Sequence, residues 1–85
     1  MSETLEIRIK RLKMRSMRRG IKEMDLILSA FADRRLAAMD AATLDLYEAL
    51  LNENDQDLYQ WVTGQVAPPA AFAALIGEIA QTFQT

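Results

Sequence analysis

The chain has 85 residues, of which 51% are hydrophobic and 26% are charged, so it forms one small domain over residues 1–85 with no room for a second. It contains no cysteine and no histidine, which excludes disulfides and removes the commonest general base and zinc ligand. No apolar run approaches the roughly 20 residues that span a membrane, and the first residues resemble neither a secretory signal nor a mitochondrial presequence. We therefore expect a cytoplasmic protein that is not an enzyme and has no membrane span.

The net charge of −2 conceals an uneven distribution along the chain. Residues 1–22 carry eight basic and two acidic residues, a net +6, whereas residues 23–85 carry two basic and ten acidic residues, a net −8. Such an asymmetry suggests a surface that meets an acidic partner. The alternative, about equally open, is that a basic first helix packs beside acidic helices of the same molecule.

The first predicted helix is capped by Ser2 and ends near Arg19, where Gly20 supplies a left-handed backbone position. Its buried stripe runs along one face and continues to Ser16, while basic residues recur at three- and four-residue steps on a different face. Other apolar residues lie opposite the stripe, either in the core or as an exposed patch that supports a weak homodimer. The stripe is Leu5, Ile9 and Leu12, and the opposite residues are Ile7, Met14 and Met17.

Two further helices are predicted in the middle of the chain. The second runs from about residue 21 to residue 38, and the third is capped by Asp40 or Thr43. Each carries apolar residues at the spacing of one helical face, which predicts that these faces meet in a core. The predicted core residues are Met24, Ile27, Leu28 and Phe31 in the second helix, and Leu44, Tyr47, Leu50 and Leu51 in the third.

A short fourth helix is capped by Asp55 or Asp57 and ends at Gly64, and a fifth begins after Pro68 and Pro69. Their inward residues are predicted to be Leu58, Trp61 and Val62 in the fourth helix, and Phe72, Leu75, Ile76, Ile79 and Phe83 in the fifth. The chain is therefore predicted to be all-α, a compact bundle of five short helices joined by tight turns.

The junction between the first two helices is the most unusual local feature. Arg19 and Glu23 stand four residues apart around Gly20, so a rigid corner there displays a guanidinium beside a carboxylate. A guanidinium is a planar fork suited to bidentate contacts with a partner. The structural alternative is an ordinary glycine cap whose flanking charges match the helix dipoles.

Candidates for enzyme chemistry are weaker, because no histidine is available to activate a hydroxyl and no glycine-rich phosphate loop is present.

The sequence R-G-x-x-E followed by M-D-L, here residues 19–26, resembles the signature of the small flavinylation factors of succinate dehydrogenase, the SdhE family. The pair Arg15-Ser16 precedes it at a spacing common in alphaproteobacterial and mitochondrial members. Two later blocks, Tyr47-x-x-Leu50-Leu51 and Asp55-x-Asp57-Leu58-x-x-Trp61, are similar to further landmarks of the family. The resemblance covers roughly residues 12–64.

This resemblance implies a five-helix fold and a function. Members bind the flavoprotein subunit of succinate dehydrogenase, and in some bacteria fumarate reductase, and promote covalent attachment of FAD to a histidine of that subunit. FAD would then belong to the client protein, and this chain would bind no cofactor stably and no metal. The partner-binding residues implied for this chain form one cluster around the junction: Arg15, Arg18, Arg19, Gly20, Lys22, Glu23 and Asp25.

Two rival functions come from other classes. The basic face of the first helix is compatible with a small helical nucleic-acid-binding protein, although the acidic pI of about 5.0 and the lack of a base-reading helix oppose it. An antitoxin-like module is not separable from an assembly factor by sequence, because both bind proteins. The expected partner is therefore the flavoprotein subunit and not nucleic acid, with the chain itself a monomer or weak homodimer.

Overall fold

The computed structural model describes residues 3–84, except the side chain of Gln84, and within that range the chain is helical without a strand. Two short 3-10 turns, Leu36–Ala38 and Ala70–Phe72, precede the third and fifth helices. The prediction of an all-α bundle of five short helices is confirmed. The helices are α1 (Leu5–Ser16), α2 (Lys22–Arg35), α3 (Ala41–Leu51), α4 (Asp55–Val62) and α5 (Ala73–Gln84).

Helix α1 differs from the prediction at its C-terminal end. Its N-cap is Thr4, whose hydroxyl accepts the N–H of Ile7 at 3.1 Å, and the predicted cap Ser2 lies outside the described residues. The helix ends before Met17, whose backbone is extended, and so stops short of the predicted end at Arg19. The connection to α2 is therefore a longer non-helical segment than the periodicity predicted.

The caps of the later helices follow the same side-chain chemistry. Asp40 caps α3 by accepting the N–H of Thr43 at 2.8 Å, as predicted. Helix α4 is capped by Asn54, and the prediction of Asp55 or Asp57 is wrong because the chain enters the helix one residue earlier. Asp55 is therefore the first residue of α4, and its carboxylate does not serve as the N-cap.

Helix α2 is the central element, since it packs against α1, α4 and α5. Its buried stripe is the predicted one, and the Cα radius of gyration of 12.2 Å is close to the roughly 12 Å of a compact domain of this length. Leu5 and Phe83 were predicted to be buried but expose 59% and 50% of their surface, because both lie in terminal turns that few neighbours cover. Trp61 is only partly buried. The core consists of Leu12, Met24, Ile27, Leu28, Phe31, Ala32, Leu36, Leu44, Tyr47, Leu50, Leu51, Leu58, Val62, Leu75, Ile76 and Ile79.

One polar pair lies within this core, between α1 and α3. The hydroxyl of Ser16 donates to the carbonyl of Leu12 at 2.8 Å, and the fully buried Tyr47 hydroxyl lies 2.6 Å from the same oxygen. Because Ser16 has only one proton, Tyr47 donates to Ser16. Burial raises the pKa of Tyr47 to about 12. The pair fixes the end of α1 against α3, directly before the chain turns toward α2.

Candidate partner-binding hinge

Residues 17–21 join α1 to α2, and we call this segment, together with the first two residues of α2, Lys22 and Glu23, the hinge. The left-handed residue in it is Arg18, with a φ of 56°, and the prediction that Gly20 takes this conformation is wrong. A left-handed non-glycine residue is strained by about 1–2 kcal/mol. Asp25 offsets this strain, because its carboxylate accepts the N–H of Arg18 at 3.1 Å while also accepting the hydroxyl of Ser29 at 3.3 Å.

The side chain of Arg19 turns inward from the hinge and pairs with Asp55. The Nε and Nη2 atoms of Arg19 lie 2.7 and 2.6 Å from Oδ1 of Asp55, and the two side chains expose only 12% and 13% of their surface. The guanidinium also donates to three backbone carbonyls, at 3.1–3.3 Å. These belong to Arg15, Leu51 and Glu53. The prediction that Arg19 is displayed beside Glu23 is therefore wrong. Its partner is the largely buried carboxylate of Asp55 on α4, which is a better partner than any exposed group on the hinge.

Gly20 lies close to the same carboxylate. Oδ2 of Asp55 accepts the backbone N–H of Gly20, so one carboxylate holds both the hinge backbone and the guanidinium of Arg19. A Cβ added to Gly20 would lie 3.2 Å from Oδ2, which is tighter than most Cβ contacts in proteins, so the carboxylate would have to move by a few tenths of an ångström. We call the three residues Arg19, Gly20 and Asp55 the clamp. The glycine serves close approach rather than a left-handed turn.

The outer edge of the hinge remains accessible. Gly20, Lys22 and Glu23 are all exposed. No ion pair or hydrogen bond of the Lys22 or Glu23 side chain is present within residues 3–84. The structure thus separates the predicted cluster into an inward set, which holds the hinge, and an outward set, which is free to contact another molecule.

Arg15 belongs to the inward set. Its Nη2 donates to Oδ1 of Asn52 at 2.7 Å, and its Nη1 lies 3.8 Å from a carboxylate oxygen of Glu48. Its own carbonyl accepts from Arg19, so Arg15 links the end of α1 to the turn between α3 and α4. The side chain of Arg18, by contrast, is exposed.

The basic face of α1 meets acidic residues of the same molecule. Arg8 lies 2.6 Å from Asp45 and 3.1 Å from Glu48, and Arg11 lies 2.9 Å from Glu48 and 2.8 Å from Glu3. Hydrogen bonds from Arg11, and then from Arg8, hold the pKa of Glu48 below its usual value, and the hydrogen bond from Arg11 does the same for Glu3. The charge asymmetry was open to two interpretations, an acidic partner or pairing within the molecule, and pairing within the molecule accounts for this face of α1. Because these arginines are already paired, the nucleic-acid alternative is weakened.

The structure also bears on cofactors, metals and membranes. Two open grooves, of about 230 and 210 Å³, lie along α2 and α5, and both are smaller than the roughly 300–1,000 Å³ of typical small-molecule pockets. Residues 3–84 contain no cluster of three metal-ligating side chains. Across the same residues, no helix combines the length and apolar character needed to traverse a bilayer.

Asp55 is the residue that sequence reasoning missed. From the sequence, its carboxylate was interpreted as a candidate helix N-cap. No local pattern connects it to Arg19, which lies 36 residues away. The one signal that contained it was the block of residues 55–61, which carried part of the family resemblance.

Several curated relatives of this chain carry the name "Succinate dehydrogenase assembly factor 2, mitochondrial". The protein of Candida glabrata is 48% identical over 62 residues, covering 73% of this chain and 40% of that protein. The protein of Scheffersomyces stipitis is 49% identical over 61 residues, covering 72% and 41%, and that of Aspergillus terreus is 52% identical over 58 residues, covering 68% and 19%. The chain thus spans about two fifths or less of the length of these relatives.

These names contradict the predicted cytoplasmic location, because they assign the relatives to the mitochondrion. The prediction rested on the composition of the first few residues, and this composition does not determine the cellular compartment of a protein family.

A family model described as "Flavinator of succinate dehydrogenase" matches residues 10–83, which include all of the hinge and the clamp. That range is most of the chain, and it extends the resemblance seen in residues 12–64 through α5. The match and the identity to the curated relatives lead to one assignment: the chain belongs to the flavinator family of succinate dehydrogenase.

Proposed function

We propose that this chain is a non-catalytic assembly factor that binds the flavoprotein subunit of succinate dehydrogenase and promotes the covalent attachment of FAD to it. The observation that carries the proposal is the family match over residues 10–83. The name of the curated relatives, succinate dehydrogenase assembly factor 2, supports the same enzyme as the target of assembly. FAD is then the client's cofactor, and the chain acts on it only through the client.

The hinge is the surface we assign to client binding. Its outward residues are Gly20, Lys22 and Glu23, with the side chain of Arg18 beside them. An interface gains affinity when its contacting groups are already ordered, because less conformational entropy is lost on binding. The clamp and the Asp25 contact supply that order, since they hold the backbone N–H groups of Gly20 and Arg18 directly before Lys22 and Glu23 in the first turn of α2.

Arg19, Asp25 and Arg15 have a different role in this proposal. They are positioning residues, because their polar groups contact other parts of the chain and hold the hinge in place. Loss of Arg19 is therefore expected to weaken client binding by loosening the hinge and not by removing a direct contact.

The expected mechanism is positioning of the client. Flavin attachment requires the acceptor histidine of the client and the flavin ring to be held close together, and such positioning lowers a barrier by several kcal/mol. A rigid edge that contacts the client on one side of its flavin site would stabilise that arrangement. The chain itself has no histidine that could serve as this acceptor.

The test measures covalent flavin in the isolated flavoprotein subunit. The subunit is incubated with FAD, with or without this chain, and its flavin fluorescence is recorded after denaturing electrophoresis. We expect the chain to increase the signal several-fold, and the double variant Lys22→Ala/Glu23→Ala to lose most of that increase. The matched control is Glu6→Ala/Lys10→Ala, which removes an acid and a base from exposed positions on α1. Equal flavin incorporation with and without the wild-type chain would overturn the proposal.

A further inference from the structure

An apolar groove begins at the hinge and runs between α2 and the end of α5. It is lined from α2 by Glu23, Leu26, Ile27 and Ala30, and from α5 by Thr82 and Phe83. Leu26 exposes 65% of its surface and Phe83 exposes 50%, whereas Ile27 exposes only 4%. Large side chains thus stand exposed on both sides of a buried floor, an arrangement typical of an interaction surface.

The size of the groove limits what it binds. Its volume of about 210 Å³ is below the range of pockets that enclose small molecules or cofactors. It is open and apolar, and it suits one aliphatic or aromatic side chain laid between Leu26 and Phe83. A protein segment that anchors itself by a single apolar residue fits these dimensions.

Charge defines a second property of the occupant. Glu23 lies at the edge of the groove, exposed, and its carboxylate has no cationic partner among residues 3–84. An unpaired carboxylate beside an apolar groove favours a lysine or arginine next to the inserted side chain, because the opposite charge is complementary and a like charge is repelled.

Glu23 belongs to both the hinge and the groove, so the two surfaces are continuous. We infer that the groove binds a segment of the client flavoprotein in which a large apolar residue neighbours a basic one. The apolar side chain inserts between Leu26 and Phe83, and the basic side chain pairs with Glu23. This inference rests on the proposed function and extends its contact surface from the hinge to α5.

A second copy of the chain is a poorer occupant. A groove-to-groove contact about a two-fold axis would bring two unpaired Glu23 carboxylates together, and like charges repel. The exposed apolar residues of α1, which are Leu5, Ile7 and Met14, are not part of the groove, so a contact between them and the groove would be head-to-tail. Head-to-tail contacts do not close as a two-fold dimer.

The test measures the Kd between the chain and the isolated flavoprotein subunit by titration calorimetry. Leu26→Gln keeps the length and the helix propensity of an exposed position, and we expect it to weaken binding about ten-fold, equivalent to about 1.4 kcal/mol. Met14→Gln is the matched control, because Met14 is 62% exposed on α1, and it is expected to change the Kd less than two-fold. Glu23→Gln is expected to weaken binding and to reduce its dependence on salt.

The outcomes separate this inference from the function on which it rests. If the wild-type chain does not bind the flavoprotein, both are overturned. If the wild-type chain binds and Leu26→Gln binds equally well, the groove is not the contact, and the proposed function stands without it. If Leu26→Gln alters self-association in sedimentation and leaves client affinity unchanged, the occupant is a second copy and the inference is wrong.

Discussion

Removing the charge of Asp55 tests whether the clamp holds the hinge together. Asp55→Asn keeps the shape of the side chain but leaves the guanidinium of Arg19, which is 12% exposed, without a counter-charge. Removing one partner of a buried ion pair costs about 3–5 kcal/mol. Because Arg19 retains three carbonyl acceptors and the pair is not fully buried, we expect a loss of about 2–3 kcal/mol in the free energy of unfolding.

That loss is large for a domain of this size. The total stability expected for 85 residues is about 4–13 kcal/mol, and each kcal/mol lowers the Tm by about 4–8 °C. Asp55→Asn should therefore lower the Tm by about 8–24 °C and shift the urea midpoint, as followed by far-ultraviolet circular dichroism.

The matched control is Asp57→Asn, since Asp57 lies in the same first turn of α4 but is exposed. It reports the contribution of a carboxylate to the helix N-terminus alone, at most about 1 kcal/mol. A double-mutant cycle with Arg19→Gln then isolates the pair, and a coupling energy of about 2 kcal/mol is expected. If Asp55→Asn unfolds at the same urea concentration as Asp57→Asn, the clamp contributes nothing and the reasoning is refuted.

Three further predictions concern other contacts. Gly20→Ala should cost about 1 kcal/mol in urea unfolding, because the added methyl meets the pinned Asp55 carboxylate, and an equal cost in an Asp55→Ala background would contradict this. Because burial raises the pKa of Tyr47 to about 12, its contribution to stability is present below pH 10 and declines as the pH rises to about 12. Tyr47→Phe should remove that part of the decline, and an unchanged slope above pH 10 would speak against it. Since hydrogen bonds from Arg11 and then Arg8 lower the pKa of Glu48, its contribution is present above about pH 4.5 and is lost at lower pH. Glu48→Gln should therefore lose less stability than wild type between pH 7 and pH 3, and an equal loss would show that Glu48 does not contribute.

The fold was predictable because helical periodicity reports neighbours that are three or four residues apart. The stripe of α2, from Met24 to Phe31, is buried as predicted, and Gly64, predicted to end α4, follows the C-cap residue Thr63 in a left-handed conformation with a φ of 81°. The errors in burial, Leu5 and Phe83, occur where a helix extends past its neighbours. Periodicity describes a face but does not report how far a partner element covers it.

The position of the hinge in the chain was predicted correctly, but the contacts that its residues make were not predicted. Arg19 and Glu23 are close in sequence, and this proximity suggested a pair, yet the partner of Arg19 is Asp55 on α4. A pairing across 36 residues depends on how the helices pack, which no local pattern contains. The basic face of α1 shows the same limit, because its pairing with Asp45 and Glu48 requires α3 to lie alongside.

The clamp also makes the geometry of the hinge depend on a distant part of the chain. Its carboxylate is supplied by α4, so the fixed positions of Arg19 and Gly20 depend on a residue that lies 36 and 35 positions further along the chain. A nascent or truncated copy that ends before residue 55 has the hinge sequence but not its geometry. Under the proposed function, such a copy is expected to bind the client flavoprotein more weakly than the folded chain does.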